Sequence, residues 1–256
     1  MKILKIIFLA TCFVFFQNAS ANNTSFKEDF FKNQDGCFIC FDLKNNINIL
    51  TINEKKSTEP LSPCSTFKIF NSLAALDSKV LKNENSLKIW EGNKYSITSW
   101  NKNHTLKSAI RNSVVWYFKE VAKDIGTNRM QNYLNRANYG NKDISGGITK
   151  FWLNSSLKIT PKEQIQFMKR LYSNKLPFSS HAVEITKSIL ILEKTNKYTF
   201  SGKTGTCFQN YGWFLGHISS DKGEYVFCCL IQGRKATGPK AREISKKILT
   251  NLKLIN

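Results

Sequence analysis

Apolar and polar positions divide this chain into strand-like ends and a helical middle. Two strand-like runs, residues 36–43 and 47–53, flank the turn-prone pair Asn45-Asn46 and open an antiparallel sheet. A short amphipathic helix over 25–32 is predicted ahead of them. Phe67, Phe70, Leu73, Ala74 and Leu76 then stripe a helix that is apolar on most of its surface, the pattern of a helix buried at a domain centre. Helical spacing continues through Leu106, Ala109 and Ile110, through Val115, Phe118, Val121 and Ala122, and through Met130, Tyr133, Leu134 and Ala137. Thr160-Pro161-Lys162-Glu163 announces another helix, combining an N-cap threonine, proline at the first helical position and a capping-box glutamate. Its apolar positions are Ile165, Phe167, Met168 and Leu171, and a further helix is expected over 182–192. Strand-like runs over 197–205, 211–218 and 224–232 form a meander, the last two separated by Ser219-Ser220-Asp221-Lys222-Gly223. A closing helix from Pro239 carries the stripe Ala241, Ile244, Ile248 and Leu252. Strands at both ends with helices between them predict a mixed α+β fold, in which N- and C-terminal strands build one antiparallel sheet beside a helical lobe. A cleft is expected between the two.

The first 21 residues stand apart. Lys2 and Lys5 precede an apolar run over 6–16 and the small-residue triplet Ala19-Ser20-Ala21, the pattern of a cleaved secretory leader. A lipoprotein leader ending at Cys12 is the rival, but Thr11 fits poorly before a lipidated cysteine. Export to the periplasm and one domain over 22–256 are therefore expected, without a linker, repeat or low-complexity tract to divide it. No later run approaches the roughly 20 apolar residues of a membrane helix, so no integral membrane association is expected.

The net charge of +20 falls to +18 when Lys2 and Lys5 leave with the leader. The lysines are dispersed, which argues against a nucleic-acid partner and for solubility and steering of anionic small molecules. Six cysteines remain: Cys37, Cys40, Cys64, Cys207, Cys228 and Cys229. Export permits disulfides without requiring them. Cys37 and Cys40, and the vicinal Cys228 and Cys229, sit in apolar strand-like runs and read as buried, inert thiols in preference to a cross-strand bridge. His104, His181 and His217 show no ligand spacing, so no metal is expected.

Candidate chemistry begins at Ser65-Thr66-Phe67-Lys68, which sets a hydroxyl and an amine one helical turn apart. A serine becomes nucleophilic when a base takes its proton, and a lysine neutralised by burial is one such base. Ser113-Val114-Val115 lies at the junction of two helical segments, and Lys203-Thr204-Gly205 ends the first strand of the late meander. Their order and their placement on helix start, helix junction and strand are jointly specific.

Across nearly all of its mature length the chain resembles the class D, or oxacillinase-type, serine beta-lactamases. The resemblance rests on Ser65-Thr66-Phe67-Lys68-Ile69, Ser113-Val114-Val115-Trp116, Tyr139-Gly140-Asn141, Phe151-Trp152-Leu153-Asn154-Ser155-Ser156-Leu157, Lys203-Thr204-Gly205-Thr206 and Tyr211-Gly212-Trp213-Phe214. It implies a serine beta-lactamase/penicillin-binding transpeptidase-like fold and hydrolysis of penicillin-type antibiotics, hence resistance to them. It also implies that Ser65 attacks the lactam carbonyl and that Lys68 carries a carbamate (N6-carboxylysine) formed from carbon dioxide and held by the Trp152 indole N–H. Ser113 would protonate the departing nitrogen in the field of Lys203. The substrate would be bound along Thr204, Gly205 and Thr206, with Thr204 and Arg242 on its carboxylate and Arg234 the competing arginine. The backbone N–H groups of Ser65 and Thr206 would form the oxyanion hole. Carbon dioxide or bicarbonate would be the only accessory molecule, and a monomer or a homodimer is expected.

Cys64 and Cys207, beside the nucleophile and the K-T-G-T stretch, depart from the family pattern and read as fillers of small buried spaces. A penicillin-binding sensor that acylates without turnover and a D,D-peptidase are the alternatives. The Trp152 segment and S-x-V-W argue against the peptidase.

Overall fold

The computed structural model describes residues 30–32, 34–208 and 210–255. The leader over 1–21 and most of the helix expected over 25–32 lie outside them. A six-stranded sheet runs in the order Ile47–Ile52, Asp35–Asp42, Gly223–Gln232, Tyr211–Ser220, Tyr198–Cys207 and Ile191–Lys194, antiparallel at every junction. Its first strands are β1 (Asp35–Asp42) and β2 (Ile47–Ile52). Asp42 closes the turn between them, its carboxylate accepting from the Asn45 backbone N–H at 2.9 Å and side-chain amide at 2.8 Å.

A 3-10 turn over Cys64–Phe67 leads into α1 (Lys68–Asp77), whose residues from Lys68 to Leu76 are all buried. A small ribbon of β3 (Leu87–Lys88) and β4 (His104–Thr105) follows, then α2 (Leu106–Arg111), α3 (Val115–Ile125) and α4 (Thr127–Ala137). The capping box expected at Thr160 forms, with Thr160 and Glu163 bonding each other's backbone N–H, and starts α5 (Pro161–Tyr172). After it come α6 (Ser180–Ile189), β5 (Ile191–Lys194), β6 (Tyr198–Cys207), β7 (Tyr211–Ser220), β8 (Gly223–Gln232) and α7 (Gly238–Asn251). The expectation of one helix over 182–192 is corrected. The chain leaves helix after Ile189, and residues 191–194 pair with β6 as an edge strand, where sheet hydrogen bonds replace further helical turns.

Two cores sandwich the sheet. Cys37, Ile39, Trp213, Leu215 and Cys228 face the helical lobe, whereas Phe38, Cys40, Phe214, Phe227 and Cys229 face α7. Alternate side chains project to opposite faces. A strand covered on both is therefore apolar throughout, as 226–231 is. Cys37, Cys40, Cys228 and Cys229 are buried and free, and burial pushes their thiol pKa values up, which keeps them protonated.

Cys64 and Cys207 are buried too, but they do not merely fill space. They form a disulfide with a Cα–Cα distance of 6.0 Å, joining segments 143 residues apart. The sheet brings the end of β6 against the turn before α1, a long-range approach that spacing in the sequence does not announce.

Candidate active site

Ser65 occupies the 3-10 turn, and α1 begins only at Lys68, so the two share a helical face across the junction of the two helix types. The Lys68 Nζ donates to Ser65 Oγ at 2.7 Å. Lys68 is wholly buried, its Nζ 5.6 Å from the centroid of the Phe118 ring. Burial above all, and then the charge of Lys203, hold its ammonium well below the usual range. The residue is thus poised to be a neutral amine within reach of the serine hydroxyl.

Ser113 sits between α2 and α3 with φ of 54°, and two indoles secure the turn it forms. Trp100 Nε1 donates to the Asn112 carbonyl at 3.0 Å, and Trp116 Nε1 donates to the Trp100 carbonyl at 2.8 Å. From β6, Lys203 Nζ donates to Ser113 Oγ at 3.0 Å and to the Thr204 carbonyl at 2.9 Å. Burial first, then repulsion by Arg242, pull the Lys203 pKa down to about 7.

Thr204, Lys203 and Arg242 share the wall of a cavity of about 410 Å³, which Lys107, Arg111 and Asn112 also line. Arg234 lies elsewhere, in a shallow depression with Phe208 and Asn210, so Arg242 is the arginine beside the K-T-G stretch. Lys107 and Arg111 were not singled out in the sequence, where an exposed lysine and arginine four residues apart on a short helix look like an ordinary solvated face. Thr206 Oγ1 accepts from the Gly238 backbone N–H at 2.9 Å, tying β6 to the start of α7. Gly205 lies close against the nucleophile turn, since a Cβ there would lie 3.0 Å from the Pro63 carbonyl oxygen and 3.2 Å from the Thr66 nitrogen and would push the turn back by a few tenths of an ångström. The K-T-G strand therefore runs in backbone contact with the nucleophile turn.

Trp152 stacks on Phe67 with ring centroids 5.5 Å apart and is fully buried, yet its indole N–H has no hydrogen-bond partner. A buried, unsatisfied donor is disfavoured by about 1–3 kcal/mol, which points to an acceptor that joins it in the working protein. Tyr139-Gly140-Asn141 holds the segment bearing Trp152: Asn141 donates to the Ser156 carbonyl at 2.9 Å, and its Oδ1 accepts from the Lys158 N–H at 3.0 Å. Among the described residues, no cluster of three or more His, Cys, Asp or Glu side chains is arranged to hold a metal.

The structure thus gathers Ser65, Lys68, Ser113 and Lys203 into two hydrogen-bonded pairs, with Thr204 and Arg242 on the adjoining cavity wall. A serine paired with a neutralised lysine, and a second serine paired with a second lysine, is the equipment of acyl transfer to serine. Residues 17–250 match the penicillin binding protein transpeptidase domain family. The probable beta-lactamase YbxI of Bacillus subtilis is 42% identical over 230 residues, which span 89% of this chain and 85% of YbxI. A crystal structure of a class D beta-lactamase from Bacillus subtilis superposes with a TM-score of 0.86 at 42% identity, covering 90% of this chain and 96% of that one. The regulatory protein BlaR1 of Bacillus licheniformis is 36% identical over 84% of this chain, a match that spans 36% of BlaR1. The chain belongs to the penicillin-binding transpeptidase family and, within it, to the class D serine beta-lactamases. Among its described residues, no helix is long and apolar enough to cross a membrane.

Proposed function

We propose that this protein hydrolyses beta-lactam antibiotics through an acyl-enzyme on Ser65, with Lys68 carrying a carbamate formed from carbon dioxide. When attached, the carbamate supplies an anionic base beside the Ser65 hydroxyl, and the Trp152 indole N–H is the donor that would hold it. The observation that supports this assignment is the Trp152 indole N–H, buried without a partner, alongside a Lys68 amine that burial drives toward its neutral form. Only a neutral amine can attack carbon dioxide, and an orphan N–H gains an acceptor when the carbamate forms.

Ser65 Oγ forms a bond to the lactam carbonyl carbon as its proton is accepted by the base. The ring C–N bond then breaks, and the nitrogen takes a proton from Ser113 Oγ, whose loss Lys203 stabilises or makes good. Water cleaves the resulting ester, releasing the ring-opened acid and restoring Ser65. Thr204 and Arg242 bind the substrate carboxylate, arginine offering two parallel donors. The Ser65 and Thr206 backbone N–H groups stabilise the oxyanion, each such donor contributing roughly 3 kcal/mol. We further propose that residues 1–21 direct export to the periplasm and are removed, so that N-terminal sequencing of the secreted protein begins at Asn22.

The test is steady-state hydrolysis of a chromogenic penicillin-type substrate. Many turnovers per protein are expected, faster with added bicarbonate, and ¹³C-bicarbonate should yield a carbamate resonance that Lys68→Ala removes. The similarity to BlaR1 supplies the competing reading, a penicillin sensor. One stoichiometric burst without turnover would favour it.

A further inference from the structure

The disulfide lies one residue from each of the two backbone N–H groups that the acyl-serine chemistry needs. Cys64 precedes Ser65, and Cys207 follows Thr206. Cys64 also has φ of 47°, in the left-handed region that L-residues other than asparagine and aspartate rarely occupy. Such a conformation persists where the surroundings over-determine it. On one flank, the Ser62 carbonyl accepts from Trp213 Nε1 at 3.0 Å, and Ser62 Oγ donates to the Trp152 carbonyl at 2.8 Å. On the other, Thr66 Oγ1 donates to the Pro63 carbonyl at 2.7 Å. Between these anchors the bridge joins the turn to β6. Beyond Cys207 the chain turns through Phe208, which is 74% exposed with φ of 46°, before Tyr211 pairs back against Cys207.

We propose that Cys64 and Cys207 are positioning residues for the oxyanion hole. Their bridge sets the spacing between the Ser65 and Thr206 amides, and so governs the rate of acyl transfer more than substrate affinity. The inference rests on the acyl-serine function proposed above and adds to it a requirement for an oxidised pair. Opening the bridge with a phosphine is balanced by water: the phosphorus takes the oxygen, and each sulfur gains a proton. The hole then loses its fixed width while every hydrogen bond named at Ser62 and Thr66 can persist.

The experiment compares the oxidised wild type, the phosphine-treated wild type and Cys64→Ala/Cys207→Ala. Non-reducing peptide mapping should first recover Cys64 joined to Cys207, and recovery of both as free thiols would overturn the proposal. In the two bridgeless forms, kcat should fall about tenfold, equivalent to ~1.4 kcal/mol of transition-state stabilisation, with KM changed less than twofold. Affinity for a boronic acid, whose tetrahedral adduct on Ser65 places an oxygen in the hole, should fall by a similar factor. A tie that merely supports the fold would lower the melting temperature while leaving kcat per folded molecule and boronate affinity unchanged, and that result overturns the proposal. If the alanine variant does not fold, the phosphine-treated wild type below its melting temperature gives the same readouts. Absence of turnover in the oxidised wild type would refute the hydrolase function itself. Turnover that is equal with and without the bridge would refute only the role of the cysteines.

Discussion

Replacing Lys203 with methionine should make the protein more stable at pH 6, less stable at pH 10 and nearly inactive at both. The folded state lowers the Lys203 pKa from 10.5 to about 7. With ~1.4 kcal/mol for each pH unit, holding this lysine charged destabilises the fold by roughly 5 kcal/mol below pH 7. The unfolded chain binds more protons than the folded one between pH 7 and 10.5, so this group's contribution to stability rises with pH across that window. Methionine keeps most of the volume and removes the charge. It also abolishes the hydrogen bonds that Lys203 donates to Ser113 Oγ, the Thr204 carbonyl and Thr204 Oγ1, each worth about 1 kcal/mol. The balance is a gain of ~2 kcal/mol at pH 6, or roughly 4–8 °C in melting temperature for a chain of this size, which crosses zero at about pH 8 and becomes a loss of ~2 kcal/mol by pH 10. Loss of Lys203 also relieves its repulsion of Lys68, which acts in the same direction at low pH. Thermal melts of both proteins from pH 6 to 10, with turnover measured alongside, provide the assay. A melting-temperature difference that stays constant across this range would refute the account of Lys203 as a strained, buried cation.

Trp152→Phe keeps an aromatic ring against Phe67 but removes the indole donor. Turnover should fall at least tenfold, acyl-enzyme should accumulate in mass spectra of quenched reactions, and a higher bicarbonate concentration should be needed for half-maximal rate. Arg242→Gln should raise KM for carboxylate-bearing substrates about tenfold or more, and should move the alkaline limb of the pH–rate profile upward, because Arg242 is the charge that depresses Lys203. A profile that stays in place would mean that the two cations are not coupled. Gly212→Ala would set a Cβ 2.2 Å from the Thr237 carbonyl carbon and oxygen, so the start of α7 must move. A loss of about 2–3 kcal/mol is expected in denaturant unfolding, together with weaker substrate binding through displaced Arg242.

What could be read from the sequence was whatever local chemistry determines. The α5 start at Thr160 was visible because its capping box lies within four residues, and α1 because a helix buried all round leaves an apolar imprint. Strands β6, β7 and β8 were placed to within two residues at most of their ends. The edge strand β5 was missed because Ile191 and Leu192 continue an apolar run, and only pairing with β6 shows where helix gives way to sheet. Motif spacing brought Ser65 and Lys68 together, since they are neighbours on the chain. The contact between Lys203 and Ser113, 90 residues apart, could be suggested only by family resemblance. The choice of Arg242 over Arg234 needed the cavity wall, and the Cys64–Cys207 bridge needed the approach of β6 to the nucleophile turn. The left-handed backbone at Cys64 and Ser113 left no mark in residue type, because neither position is the glycine that usually signals it.

The strand order has a consequence for how the chain is made. Strand β1 lies between β2 and β8, with Cys37 opposite Leu230, so one edge of β1 has no partner until about 180 further residues have been synthesised. Until then, the nascent chain carries an apolar hairpin with an open hydrogen-bonding edge, the kind of surface that recruits other chains or needs a chaperone. Completing the sheet is also a contact of high sequence separation, and such contacts slow folding. Strand β6, which bears Lys203, reaches its place only as this late assembly closes. Recovery of activity on refolding should therefore lag behind recovery of helix, and the ratio of the two rates would time the docking of the sheet onto a lobe that forms first.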